Sequence, residues 1–160
     1  MRRPVLFWDS AGLIAGVFAE HKSPYRELLR LGAVGAVDMR LSPDVARECD
    51  GILRRYGEEE VERLARLLDR ANFAVTLSPD EDLVAQLTER TAYRNDARVV
   101  AAAEECAADV LITYDRKHLL GNPLLGPPDT YCRILTLQEA LVLLRQRLSG
   151  EGDLDAGPSQ

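Results

Sequence analysis

Short apolar runs that alternate with helical patterns are the feature that most restricts the fold of this chain. The first run is Val5-Leu6-Phe7-Trp8, and it stops at Asp9-Ser10, after which apolar residues recur at helical spacing. Parallel strands need a long crossover connection, and a helix after each strand supplies one. The pattern therefore predicts an α/β fold in which helices cover both faces of a central parallel sheet.

The same alternation continues to the end of the chain. Strands are expected at 5–8, within 34–41, and at 73–77, 110–113 and 133–136. Helices are expected after Asp9 and at 24–31, 42–56, 58–71, 78–91, 96–108 and 137–148. The capping signals that favour three of these helix starts are Ser42-Pro43, Ser78-Pro79-Asp80 and Asn95-Asp96. Gly32 is expected to close the second helix, and the Gly- and Pro-rich segment 121–128 to form a loop.

The length of 160 residues is that of a single domain, which we assign to residues 1–148. Residues 149–160 are expected to be a flexible polar tail because they contain too few apolar side chains to pack. The N-terminus has arginines before an apolar run, as secretory signals do, but Asp9 within that run favours a strand followed by a helix. Neither a membrane-spanning segment nor a membrane partner is expected.

The three cysteines are far apart and predict neither a disulfide framework nor a zinc site, which suits a reducing cytoplasm. The formal net charge of −6 argues against a protein that holds nucleic acid through a strongly basic surface, although a local basic patch is compatible with it. The glycine-rich motifs of dinucleotide-binding and P-loop proteins are absent from the sequence. The strand ends are therefore expected to carry another kind of site.

Four acidic residues are predicted to meet at one edge of the sheet. Asp9 and Asp115 each follow a strand, and open parallel sheets bind ligands beyond the carboxyl ends of their strands. Asp96 begins the buried face of its helix, and Glu48 lies at the margin of an apolar helical stripe. Clustered carboxylates repel one another unless a cation compensates them. Oxygen ligands alone favour Mg²⁺ or Mn²⁺, which would support hydrolysis of a phosphodiester.

Each of these acids also has a purely structural explanation. Asp9, Asp96 and Asp115 precede or open predicted helices, where Asp is a preferred cap and interacts well with the helix dipole. Glu48 alone would suit a solvated helix face. The convergence of all four on one edge is what favours a functional site over these separate explanations.

Three segments together resemble the ordered motifs of a known family. They are LFWDSAGLIAG, SPDVARECDGIL and NDARVVAAAEECAADVLITYDRKHLL, and the resemblance covers roughly residues 4–140. In this order they resemble PIN-domain nucleases of the PilT N-terminus type, which include VapC-like toxins. The resemblance implies a three-layer α/β/α sandwich and a ribonuclease that depends on Mg²⁺ or Mn²⁺.

The resemblance also implies roles for individual residues. Asp9, Glu48, Asp96 and Asp115 would be the catalytic residues and the metal ligands, and Thr113 would support them through its hydroxyl. In such enzymes a metal-activated water attacks an RNA phosphodiester in line. The implied partners are an RNA substrate, a small antitoxin protein and a second copy of the chain.

The sequence departs from the family after Asp115. Many relatives carry a further Asp and then an aromatic residue there, whereas Arg116, Lys117, His118 and Leu119 follow in this chain. This departure leaves the number of metal ions open. Arg116 and Lys117 suit either contact with substrate phosphates or a solvated turn, and His118 is expected to be a packing residue.

The leading hypothesis is a metal-dependent endoribonuclease that is the toxin of a toxin–antitoxin pair. One alternative is a catalytically silent PIN-like module that binds RNA or a protein, against which the retention of all four acids speaks. Another is a different Mg²⁺-dependent phosphohydrolase. The first strand ends in D-S-A, however, and lacks the D-x-D of haloacid-dehalogenase-like phosphatases.

Overall fold

A five-stranded parallel sheet forms the centre of the molecule, in a computed structural model that describes residues 2–125 and 132–150. The sheet order is β3-β2-β1-β4-β5, and every neighbouring pair is parallel. This arrangement confirms the predicted α/β class and the three-layer α/β/α sandwich. The strands are β1 (Val5–Trp8), β2 (Asp38–Leu41), β3 (Ala74–Val75), β4 (Val110–Ile112) and β5 (Arg133–Leu135).

Seven helices within the described residues complete the layers. They are α1 (Ser10–Val17), α2 (Pro24–Ala33), α3 (Pro43–Leu53), α4 (Glu58–Arg70), α5 (Glu81–Thr91), α6 (Arg94–Glu105) and α7 (Leu137–Leu148). Ser23, Ser42 and Thr136 cap α2, α3 and α7 through their side-chain oxygens, as the preference of helix starts for hydroxyl residues predicts. None of these helices is long and apolar enough to cross a membrane.

The middle of the sheet is the most buried part of the core. Leu6 and Phe7 of β1 are fully buried, as are Leu111 and Ile112 of β4. This burial follows from the continuous apolar runs of both strands, because a central parallel strand meets helices on both faces. The residue that follows each strand is thereby fixed to a rigid frame.

The end of α2 differs from the expectation because packing outweighs local propensity. The prediction that Gly32 closes the second helix was wrong, since α2 continues through it to Ala33. A Cβ atom at Gly32 would lie 2.6 Å from the Ala71 carbonyl oxygen and 2.8 Å from Met39 Cγ. Glycine is therefore present to let α2 approach its neighbours closely.

The starts of α5 and α6 also differ from the expectation. Asp80 caps α5, so Ser78-Pro79 lies before this helix instead of opening it. Tyr93 occupies the N-cap position of α6, and Asp96 lies inside the first turn. The same helix ends at Glu105, short of the predicted 108, because Ala107 adopts a left-handed conformation with φ of 54°.

Two predicted segments fall partly outside the described residues. The loop expected over 121–128 is described only as far as residue 125, where it forms turns. Of the tail expected over 149–160, residues 151–160 lie outside the described part of the chain.

Candidate active site

Asp9 and Asp115 approach each other because β1 and β4 are neighbouring parallel strands. Trp8 and Ile112, the last residues of the two strands, are in register. The Asp9 amide donates to the Ile112 carbonyl at 3.0 Å, so the pairing extends one residue beyond β1. Asp9 also caps α1, since its Oδ1 accepts the Ser10 amide at 2.7 Å. A capping role and a place at the sheet edge are thus combined in one residue.

Thr113 joins the two acids through its buried hydroxyl. The Thr113 side chain is fully buried, and its Oγ1 donates to Asp9 Oδ2 at 2.9 Å. The same oxygen accepts the Asp115 amide at 3.1 Å. One hydroxyl therefore fixes the Asp9 carboxylate relative to the backbone at Asp115.

Glu48 and Asp96 reach the same place from helices. Glu48 lies in the middle of α3, and Asp96 lies in the first turn of α6. All four acids line one cavity of about 530 Å³. The helix-cap explanation does not apply to Asp96, because Tyr93 occupies the cap position. The other residues that line this cavity are Ser10, Ala11, Tyr93, Arg94, Asn95, Val99 and His118.

His118 is the residue at this site that the sequence failed to indicate. Its Nδ1 lies 3.2 Å from Asp115 Oδ2 and 3.4 Å from Asp96 Oδ2. Its ring also packs edge-on against Tyr93, with the ring centroids 4.2 Å apart, so the packing role that we expected is only part of its environment. The signal was its position three residues after Asp115, since a turn at Lys117 and His118 donates two amides to Asp115 Oδ1.

Burial and mutual repulsion perturb two of the acids. Burial raises the pKa of the Asp9 carboxyl, although hydrogen bonds from Thr113 and Ser10 oppose the shift. Burial also raises the pKa of Asp96, and Asp115 raises it further, while His118 acts in the opposite direction. Ionised carboxylates at these positions are therefore destabilised in the absence of a compensating positive charge.

A metal ion would supply that charge, and the donor set suits one. Asp96, Asp115 and His118 offer ligand atoms that all lie within 4.8 Å of one another, and Asp9 and Glu48 line the same cavity. Carboxylate oxygens are preferred ligands of hard divalent cations, and imidazole is the commonest nitrogen ligand of metals. His118 thus adds a nitrogen donor to the oxygen donors that the sequence predicted, and the predicted ligand set itself stays a prediction.

The basic residues after Asp115 lie outside this cavity. Arg116 and Lys117 are exposed, and neither is among the described residues that line the site. Their contact with substrate phosphates stays a prediction. The cationic side chain that does line the cavity is Arg94, which is also paired with Glu81 of α5.

Arg98 fixes the helices that carry the two helical acids. Its Nε donates to Asp44 Oδ2 of α3 at 2.9 Å, and its Nη1 donates to Glu81 Oε1 of α5 at 2.6 Å. Asp44 lies one helical turn before Glu48, and Arg98 lies two residues after Asp96. This bridge therefore sets the spacing between α3 and α6.

We expect Arg98→Met to lower the free energy of unfolding by about 1 kcal/mol at pH 7. Burial alone would raise the pKa of Asp44, but hydrogen bonds from Arg47 and Arg98 hold it below its usual value. A carboxyl group whose pKa is lower in the folded state than in the unfolded state stabilises the fold at pH values above its unfolded-state pKa. This stabilisation is lost as the pH falls through the folded-state pKa. Urea unfolding should therefore show a smaller difference from the wild type at pH 3 than at pH 7.

Arg47→Met is the matched control for this bridge. Arg47 binds the same carboxylate, but it is largely exposed and lies on the same helix as Asp44. We expect a smaller loss of stability, because the variant leaves α3 and α6 connected. Equal losses in the two variants would argue that Arg98 has no special role in joining the helices.

We expect His118→Ala to weaken Mn²⁺ binding on the order of 10- to 100-fold, because it removes the nitrogen donor and the group that opposes repulsion at Asp96. Isothermal titration calorimetry on the folded protein would measure this change. His21→Ala is the control, since His21 is the other histidine of the chain and is exposed outside the cavity. Unchanged affinity in His118→Ala would exclude the residue from the metal site.

Similarity to known proteins is found in the fold of this chain but not in comparisons with family models and curated sequences. No protein-family model matches the sequence, and no curated protein matches it either. Among solved structures, PAE2754 from Pyrobaculum aerophilum superposes with a TM-score of 0.63 and 18% identity, over 89% of this chain and 96% of that chain. VapBC2 from Rickettsia felis, bound to a DNA fragment from its promoter, gives 0.60 and 16%, over 81% of this chain and 98% of that one.

The similarity extends over almost the full length of both solved chains, so it concerns the whole fold and not a shared fragment. Sequence identity at this level supports conclusions about architecture alone. Together with the parallel sheet and its order, it shows that the chain has the VapC-like, three-layer α/β/α fold of PIN-domain proteins.

Proposed function

We propose that this protein is a metal-dependent endoribonuclease. The observation that carries the proposal is the convergence of four carboxylates, from four separate segments of the chain, in one cavity beside His118. Such a cluster lowers the stability of the fold, and acids whose pKa values are raised within a cleft, as those of Asp9 and Asp96 are, favour a functional site. The PIN-like fold and the ordered motifs favour phosphodiester hydrolysis among the reactions that such a site can perform.

Asp9, Glu48, Asp96, Asp115 and His118 are the residues that would hold the metal, for which we propose Mg²⁺ or Mn²⁺. When bound, such an ion stabilises the negative charge that develops on a phosphoryl oxygen. The remaining contributions come from the chain itself.

The first of these contributions is to hold the acids in place before substrate arrives. The Thr113 hydroxyl and the Ser10 amide fix the two oxygens of Asp9. The amides of Lys117 and His118 fix Asp115 Oδ1, which leaves Asp115 Oδ2 directed at His118 Nδ1. Preorganised groups of this kind avoid the reorganisation cost that water would incur during the reaction.

The second contribution is to bind RNA beside the acids. Tyr93 lines the cavity and is 51% exposed, so its ring offers a face on which an unstacked base can lie. Arg94 lines the same cavity and supplies a positive charge for a phosphate. We propose that the two orient the RNA backbone against the acidic site.

The VapC-like fold extends the proposal to a biological role. The solved VapBC2 structure is bound to promoter DNA, and the motifs of this chain resemble those of VapC-like toxins. We infer that the protein is a cytoplasmic toxin, restrained by a small antitoxin protein and able to pair with a second copy of itself.

Incubation of the purified protein with end-labelled RNA tests the proposed activity. We expect cleavage with Mn²⁺ and with Mg²⁺, and complete loss of cleavage with excess chelator, because the acidic cluster is ineffective without a cation. Restoration of cleavage on returning Mn²⁺ would separate a metal requirement from denaturation. Cleavage that persists in chelator would refute the proposal, and tight RNA binding without cleavage would support a silent RNA-binding module instead.

A further inference from the structure

A second cavity, of about 560 Å³, lies between α1, α2 and α4 and has no lining residue in common with the acidic site. The buried apolar side chains of Val17, Leu29 and Leu67 form its floor. No Asp or Glu is among the described residues that line it. We call it the arginine groove because it is lined by Arg26, Arg30, Arg63, Arg66 and Arg70.

These arginines form two rows on opposite helices. Arg63, Arg66 and Arg70 are three and four residues apart and therefore share one face of α4. Arg26 and Arg30 are four residues apart and share one face of α2. A concentration of positive charge along both rows is unexpected in a chain whose net charge is −6.

Internal partners neutralise only part of this charge. Arg63 and Arg66 pair with Glu59 and Glu62 on their own helix, in exposed contacts of 2.9 and 3.7 Å. Such exposed pairs are weak and readily exchanged.

The other three arginines are less well paired. Within residues 2–125 and 132–150, Arg30 and Arg70 make neither a side-chain hydrogen bond nor an ion pair. Arg26 Nη2 donates to the Ala19 carbonyl, but Arg26 Nε is buried without a hydrogen-bond partner. A buried, unpaired donor is costly, and an anionic oxygen is the acceptor that a guanidinium binds best.

Exposed aromatic rings lie beside the positive charge. Phe18, at the end of α1, lines the groove and is 48% exposed. It packs against Tyr56, which is 66% exposed, with the ring centroids 5.3 Å apart. A cationic groove with adjoining aromatic faces is typical of proteins that bind single-stranded nucleic acid, whose phosphates and bases need these two kinds of contact.

We propose that the arginine groove binds the phosphates of single-stranded RNA outside the cleavage site. This inference rests on the proposed ribonuclease function, which makes RNA the polyanion that the protein meets. Asp9 caps the start of α1, whose last residue Val17 lines the groove, and the eight residues of this helix span roughly 12 Å. One RNA strand of a few nucleotides can therefore contact both sites, and an acidic protein thereby gains a local hold on its substrate.

RNA binding by fluorescence anisotropy, over a range of KCl concentrations, tests the inference. The probe is a fluorescein-labelled single-stranded RNA without stable hairpins, and chelator together with Asp96→Asn prevents cleavage. In that background we expect Arg30→Gln/Arg70→Gln to raise Kd on the order of tenfold. The slope of log Kd against log salt should fall by roughly 0.7 for each phosphate that the variant no longer neutralises.

Two further variants separate base stacking and general loss of positive charge from the specific effect of the groove arginines on RNA binding. Phe18→Leu should raise Kd several-fold with an unchanged salt slope, because stacking involves no counterion release. Arg133→Gln, which changes an exposed arginine at the start of β5, should leave both quantities unchanged. Both exposed positions on α2 and α4 tolerate Gln, so melting temperatures should stay close to that of the background protein.

Equal RNA binding in Arg30→Gln/Arg70→Gln and Arg133→Gln would overturn the inference. Binding of an acidic peptide in the groove that RNA does not displace would also overturn the inference. The proposed activity is scored separately by cleavage in Mn²⁺. If the wild type cuts RNA but the groove variants bind RNA normally, only this inference fails. If the groove variants bind RNA more weakly but the wild type cuts none, only the ribonuclease proposal fails.

Discussion

Replacement of Asp9 by Asn is expected to slow RNA cleavage on the order of 10³-fold without disrupting the fold. The side chain sits at the end of the central strand and receives hydrogen bonds from the Thr113 hydroxyl and the Ser10 amide. Asn preserves the shape of the side chain. Its oxygen can accept the hydrogen bond from the Ser10 amide, and its nitrogen can donate to the Thr113 oxygen if that hydroxyl rotates. The substitution removes the negative charge with which Asp9 would attract a divalent cation. Single-turnover cleavage in saturating Mn²⁺ would measure the loss.

Asp80→Asn is the matched control, because Asp80 caps α5 as Asp9 caps α1. Asn is as good a helix cap as Asp, so both variants should melt close to the wild type. The control should also cleave RNA normally, since Asp80 is exposed and lies outside the cavity. Near-normal cleavage by Asp9→Asn would show that Asp9 is a cap and nothing more.

Replacement of Asp96 by Asn is expected to stabilise the metal-free protein by about 1 kcal/mol and to abolish most of the stabilisation by Mn²⁺. Burial and Asp115 raise the pKa of Asp96 above its usual value of 3.8, so its ionised form costs free energy at pH 7. Neutral Asn removes that cost. Below pH 3.8 the wild-type carboxyl is protonated in both states, and the difference between the proteins should disappear.

Thermal unfolding at pH 7 would show the two effects with opposite signs. In chelator, Asp96→Asn should melt roughly 2–4 °C above the wild type. In saturating Mn²⁺ the order should reverse, because only the wild type binds the ion well. Asp82→Asn is the control, since Asp82 occupies the first turn of α5 but is exposed outside the cavity. A lower melting temperature for Asp96→Asn in chelator would contradict the repulsion among the acids on which the proposed metal site depends.

The sequence predicted the frame of this site well, for physical reasons. Short, largely apolar runs such as 5–8 and 110–113 are typical of central strands, which places the acids that follow them at the carboxyl edge. The prediction was weaker where tertiary packing decides. Gly32 continues a helix because Ala71, at the end of α4, lies too close for a side chain, and no local signal reveals that contact.

Features that depend on distant segments were harder to anticipate. His118 has no metal-binding spacing in the sequence, and it joins Asp96 only because α6 starts beside the turn after β4. The arginines of α2 and α4 each suit an ordinary solvated helix face. Only the packing of these two helices around an apolar floor brings their charges together.

The Arg98 bridge and the central position of β1 give the two halves of the acidic site different local stabilities. The Asp9 amide bonds to Ile112 within the most buried part of the sheet, so its exchange with solvent should require global unfolding. Asp96 depends on α6, whose first turn lacks a side-chain cap and is held to α3 by Arg98. Fraying of that turn would move Asp96 away from the other acids while the sheet stays intact. Hydrogen exchange should therefore be faster at the start of α6 than at the Asp9 amide.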